Sequence, residues 1–148
     1  MKRFISFVLL TILMAIPLCG CEKDKNKNGE IPYLPISVDN ISYIGLYGYS
    51  QEGKHSNNRE ATEQEITQII GWLNSIEEYD SEIEIPKNSN GRPVPSDIQI
   101  FPKFTPHTEF LYILEKDNDY IILCIPKINK GYVAKQQELN KLLKELRR

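Results

Sequence analysis

Histidine, tryptophan, methionine and cysteine are all scarce in this 148-residue chain, which carries 2, 1, 2 and 3 of them. The two histidines, His55 and His107, lack the H-x-x-x-H spacing of a metal pair and sit in polar, loop-like context, where they read as solvated. A cysteine nucleophile would need one of them as a positioned base, and no spacing supports that. A basic excess is missing too. The net charge of −2 excludes the electrostatic footprint of a nucleic-acid binder. No segment repeats at a solenoid period. No apolar run is long enough to cross a bilayer: the longest, residues 4–16, would reach about 20 Å as a helix against a hydrocarbon core of about 30 Å. Pro17 is a poor continuation of that helix. What remains is the composition of one folded domain, 41% hydrophobic and 26% charged. Eight tyrosines against one tryptophan tilt it toward strands and exposed surfaces.

The N-terminus has the form of a secretory signal. Lys2 and Arg3 precede the short apolar run, and polar residues begin abruptly at Glu22. "LCGC", residues 18–21, resembles the bacterial lipobox: Leu18 stands three before Cys21 and the small Gly20 one before it. Cys19 takes a middle position where alanine, serine or threonine is more usual. The resemblance implies signal-peptidase cleavage after Gly20 and a thioether from Cys21 to a diacylglyceryl group, and leaves the new amino group open to acylation as well. Two acyl chains hold a protein stably on a membrane where one does not. A C-x-C metal site fails on ligand count, since zinc takes four and "EKDKNKNGE" offers scattered carboxylates. An uncleaved signal anchor fails on length.

The chain therefore divides into a signal peptide (1–20), a flexible tether (21–30) and a single domain (31–148). Cleavage removes two bases and leaves the remainder more acidic than the −2 of the whole chain. The expected location is the extracytoplasmic side of the cell membrane. Residue 22 is glutamate and not the aspartate that retains lipoproteins at the inner membrane of some double-membrane bacteria, so in such a cell the outer membrane becomes the destination.

Within the domain, "NISYIGLYGY" alternates as a strand, with Ile41, Tyr43, Gly45, Tyr47 and Tyr49 on one side. "SQEGKHSNNRE" reads as a polar loop. Thr62 and Glu65 form a capping box before a helix whose Ile66, Ile69, Ile70 and Leu73 share a stripe, with Trp72 on its flank. "NSNGRPVP" is a loop, and "SDIQIFPKF" a strand that Pro102 moves to an edge. "FLYIL", a turn at "EKDND" and "YIILCI" make a hairpin. An even loop there puts Tyr112 and Tyr120 on opposite faces and an odd one puts them together. "KQQELNKLLKEL" places Leu139, Leu142, Leu143 and Leu146 on one helical stripe. The expected class is α+β: a mainly antiparallel sheet in β-α-β-β-β-α order with two amphipathic helices on one face. The hairpin strands are apolar on both sides, so the second face also needs cover: long loops, a second copy in a homodimer, or a partner.

Chemical motifs are thin. Cys124, inside "IILCIP", reads as a buried small hydrophobe, and once Cys21 is consumed it leaves no disulfide partner. Eight acids and no bases lie between Glu60 and Glu84, and seven bases against two acids between Lys127 and Arg148. The acids read as a solvated face and not as a glycosidase pair. The opposite charges suggest complementary helices, or a basic C-terminal helix facing anionic lipid. Tyr43, Tyr47 and Tyr49 form a candidate binding surface, with a flat ring and a polar tip each. No catalytic residue, metal or cofactor is expected.

"ISYIGLYGY", "TEQEITQII" and "FLYILEKDNDYIILCIP" with its following glycine loop "KINKGY" resemble the small lipoproteins of Gram-positive bacteria that share a β-α-β-β-β core and have no assigned function. The shared features are hydrophobic patterns and transfer no activity. The reading is a lipid-anchored, non-enzymatic binding or interaction domain of the envelope, with a protein or cell-wall ligand as partner. An inhibitor or immunity-type lipoprotein that blocks a secreted enzyme or toxin is second, and a hydrolase third.

Overall fold

A computed structural model describes residues 29–49, 55–105 and 109–147. Leu18, Gly20, Cys21, most of the tether and His107 lie outside them, as do the side chains of Tyr49 and His55. The alternating segment forms β1 (Ile41–Tyr49), preceded by a 3-10 turn at Val38–Asn40. The rest follows as β2 (His55–Glu60), α1 (Glu63–Asn74), β3 (Ser81–Glu84), β4 (Ile98–Pro102), β5 (Leu111–Glu115), β6 (Tyr120–Ile125), β7 (Lys130–Lys135) and α2 (Gln137–Leu146). The strands make one antiparallel seven-stranded sheet in the order β2-β1-β4-β5-β6-β7-β3. The class is α+β.

Four strands depart from the sequence reading. β2 comes from the segment read as a polar loop. It pairs with β1 through its backbone at the sheet edge, where residues 58–60 stay exposed, so no apolar alternation marks it. β3 comes from the acidic run and closes the opposite edge against β7. β7 includes Gly131, read as part of a loop; a Cβ there would lie 3.0 Å from Ile122 Cγ2 and 3.2 Å from Ile83 Cγ1, so glycine lets both isoleucines close over the ladder. β4 is not an edge strand. Pro102 is its last residue, opposite Ile41, so the missing N–H falls where pairing ends.

Both helices pack on one face. Ile69, Ile70 and Leu73 of α1 and Leu139, Leu143 and Leu146 of α2 meet the even positions of β1 and β4 and the odd positions of β5 and β6. Trp72 packs half-buried on the rim of this core. Ile31 and Ile36, ahead of β1, join the same core. On the other face the β3–β4 connection crosses the sheet, and Ile85 and Val94 cover Tyr112, Leu114, Ile122 and Cys124. A long loop thus covers this part of the second face.

The capping box forms as expected. Thr62 Oγ1 accepts from the Glu65 N–H, and Glu65 Oε2 accepts from the Thr62 N–H at 2.8 Å. Arg59 at the end of β2 adds a two-pronged ion pair to Glu65, 2.6 and 2.8 Å. Thr62→Ala should therefore lower stability by about 1 kcal/mol, measured as a shift in urea midpoint, with the loss concentrated in α1 amide protection.

Candidate functional site

One register row crosses the sheet on the face away from the helices: Glu60, Gly45, Gln99, Tyr112, Cys124, Gly131, Ile83. β5 and β6 pair Tyr112 with Cys124 and Leu114 with Ile122, an odd loop, so Tyr112 and Tyr120 share this face. Tyr43 and Tyr47 share it as well. Tyr43 stacks on Phe101, centroids 4.3 Å apart and rings 13° from parallel. Tyr47 folds over Gly45, where a Cβ would lie 2.5 Å from its ring. The two described tyrosines of the candidate surface are thus half-buried against their own sheet.

Glu109, which the sequence does not mark, joins this row to a cleft. It precedes β5 and is half-buried, with Oε1 fully enclosed and without a hydrogen-bonded partner. Burial raises its carboxyl from the ordinary 4.5 to about 7. Its charge is felt by Tyr47, Tyr112 and Cys124. The Tyr112 hydroxyl is also buried without a hydrogen-bonded partner; it lies near the Cys124 thiol but outside hydrogen-bond geometry. Burial pushes the Cys124 thiol up to about 12, so it stays protonated at neutral pH and is no nucleophile.

The cleft holds about 520 Å³ and is lined by Tyr33, Thr105, Glu109, Phe110, Pro126 and Lys127. Tyr33 meets Phe110 edge-on, centroids 5.1 Å apart, and Lys127 Nζ lies 5.9 Å from the centre of the Tyr33 ring. Aromatic walls, one acid and one base thus meet in this cleft. A shallower groove of about 220 Å³ runs between α1 and α2, where Lys141 stands among Glu65, Glu138 and Glu145. The expected pairing of oppositely charged helices is not what forms: α2 itself carries two acids and two bases, and the excess of bases lies in the segments flanking it. Arg147 is also used within the fold, on Asp97 and Glu115 at the far end of the sheet from the cleft. Among the described residues, no three His, Cys, Asp or Glu side chains converge as a metal site, and no helix is long and apolar enough to cross a membrane.

Glu109 gives stability a distinct pH signature. Between about pH 4.5 and 7 the folded chain keeps a proton that the unfolded chain releases, so stability falls as pH rises through that window and levels off above it. Glu65 acts oppositely: hydrogen bonding from Arg59 holds it at about 2, and that contribution is lost as pH falls from about 4.5. The Glu109 loss should be on the order of 1 kcal/mol, well below the value for a fully buried group because its carboxyl is part-solvated. Glu109→Gln should abolish the difference in urea midpoint between about pH 5 and pH 8.

Compared with known proteins, the chain matches no family model, no curated protein and no solved structure.

Proposed function

We propose that this chain is a lipid-anchored protein of the bacterial envelope, held on the extracytoplasmic side through Cys21, and that its domain binds a ligand or partner without catalysing a reaction. The observation that carries the anchor is the order of features at the N-terminus: two bases, a short apolar run, Leu18-Cys19-Gly20-Cys21, then a polar run ending where the core begins at Ile31. What supports binding over catalysis is the character of the cleft, an aromatic hollow with one acid and one base beside a protonated thiol.

Cys21→Ser tests the reading in cells fed labelled palmitate. The wild-type chain should take up label and be cut after Gly20, whereas the variant should stay at precursor mass without label. A variant that is labelled and cut like the wild type would overturn it.

A further inference from the structure

Among the described residues, the large apolar side chains left exposed gather at one end. Phe104 is 88% exposed, Tyr33 40%, Val38 38% and Ile128 36%. They come from three separate segments. Tyr33 precedes β1, Val38 lies in the turn that opens β1, Phe104 follows β4, and Ile128 closes the turn between β6 and β7. The antiparallel register brings these points together, because the start of β1 pairs with the end of β4 and the end of β6 with the start of β7. The Lys103 N–H also bonds the Asn40 carbonyl, which seats the Phe104 turn beside the Val38 turn. The opposite end carries "EKDND" and the Arg147 ion pairs instead. The two ends of one sheet therefore differ in polarity.

The apolar end is the end at which the chain enters. Ile31 is buried and Tyr33 already lines the cleft, so the described chain starts at this end. Ten residues, the length from Cys21 to Glu30, have a root-mean-square span of roughly 17 Å as a polar random chain. Such a leash holds the domain at an effective concentration on the order of millimolar at the bilayer surface, so a weak surface affinity suffices to dock it. Phenylalanine and tyrosine side chains suit the headgroup boundary, and Lys103 and Lys127 flank them as cations beside anionic headgroups.

We infer that the tether-proximal end, through Phe104, Val38, Ile128 and Tyr33, docks into the bilayer interface, so that the domain lies on the membrane with the mouth of the cleft toward the lipid. This rests on the proposed anchor at Cys21. It differs from a contact made by the basic C-terminal segment, in which Arg147 is engaged at the other end of the sheet.

The test uses the full-length chain, processed and lipidated in cells and reconstituted into phosphatidylglycerol–phosphatidylethanolamine vesicles. Spin labels go on Thr105→Cys at the apolar end and on Asp117→Cys at the opposite turn. Cys124 does not compete for label because it is buried. The label at 105 should collide several-fold more readily with oxygen than with a polar relaxant, and the label at 117 should show the reverse. Adding Phe104→Asp, a change at an exposed side chain that leaves the core intact, should make the label at 105 water-like while the protein still floats with vesicles. Equal polar access at 105 and 117 in floating protein would overturn docking and leave the anchor standing. Spin–spin broadening at 105 without oxygen preference would also overturn it, in favour of contact between copies. A chain that does not float and carries an unmodified Cys21 would overturn the anchor, and docking with it.

Discussion

Arg147→Ala should destabilise the domain by about 3 kcal/mol, read as a lower urea midpoint at unchanged slope. Asp97 is fully buried at the start of β4. Arg147, just past α2, donates to its Oδ2 from Nη2 at 2.6 Å and from Nε at 3.0 Å. The remaining arm donates to Glu115 Oε2 at 2.7 Å, so one guanidinium ties α2 to β4 and β5 together. Removing it deprives a buried carboxylate of its cation, which costs far more than loss of a surface pair. The effect stays at the lower end of the range for buried pairs because the arginine side chain is 37% exposed and water can reach the site. Arg147→Lys should recover part of the loss, since an ammonium cannot fork between two carboxylates. A loss under about 0.5 kcal/mol for the alanine variant would show that the clamp contributes nothing.

Asn140→Ala should cost about 2–3 kcal/mol and loosen the β5–β6 turn before the rest of the sheet. Asn140 is fully buried on the inner side of α2. Its Nδ2 donates to the Lys116 carbonyl at 2.7 Å and to the Tyr120 carbonyl at 2.6 Å, holding both ends of the turn. That turn contains Asn118 and Asp119 at φ 60 and 64, a left-handed conformation that these residue types tolerate better than most. Alanine leaves the two carbonyls without their side-chain donor. Asn140→Asp should be worse, because it aims a third oxygen at them. Hydrogen exchange should speed up first at residues 116–120; uniform loss of protection across the sheet would contradict the role as a turn clamp.

These two residues show where sequence reading stopped. The helix stripe was legible in Leu139, Leu143 and Leu146, and Asn140 lies beside them on the same buried side. Its position was a signal, but its partners lie 20 and 24 residues away and leave no local trace. β1 and α1 were legible because each repeats apolar residues at its own period, and the β5–β6 hairpin because two apolar runs flank a polar turn. β2 and β3 were not, since edge strands are held by backbone pairing and their side chains stay in water. The connection covering Tyr112 and Cys124 could be expected only as one of three covers, because a crossing from β3 to β4 depends on strand order. Glu109 had no signal at all. In "HTEF" it is one acid among many, and its raised pKa comes from tertiary burial. Tyr43 and Tyr47 were correctly placed on one face, but the sequence could not reveal that Tyr47 covers Gly45 and Tyr43 stacks on Phe101.

Location is the property on which the rest of the functional account depends. The polar run after Cys21 acts as a leash only if Cys21 is the first residue of the mature chain, and the apolar end faces lipid only if that residue carries acyl chains. The most direct measurement is mass spectrometry of the N-terminal tryptic peptide from protein extracted from membranes. The predicted result is a peptide beginning at Cys21 and ending at Lys23, heavier by a diacylglyceryl group. An unmodified Cys21, or a chain still beginning upstream of it, would contradict the account.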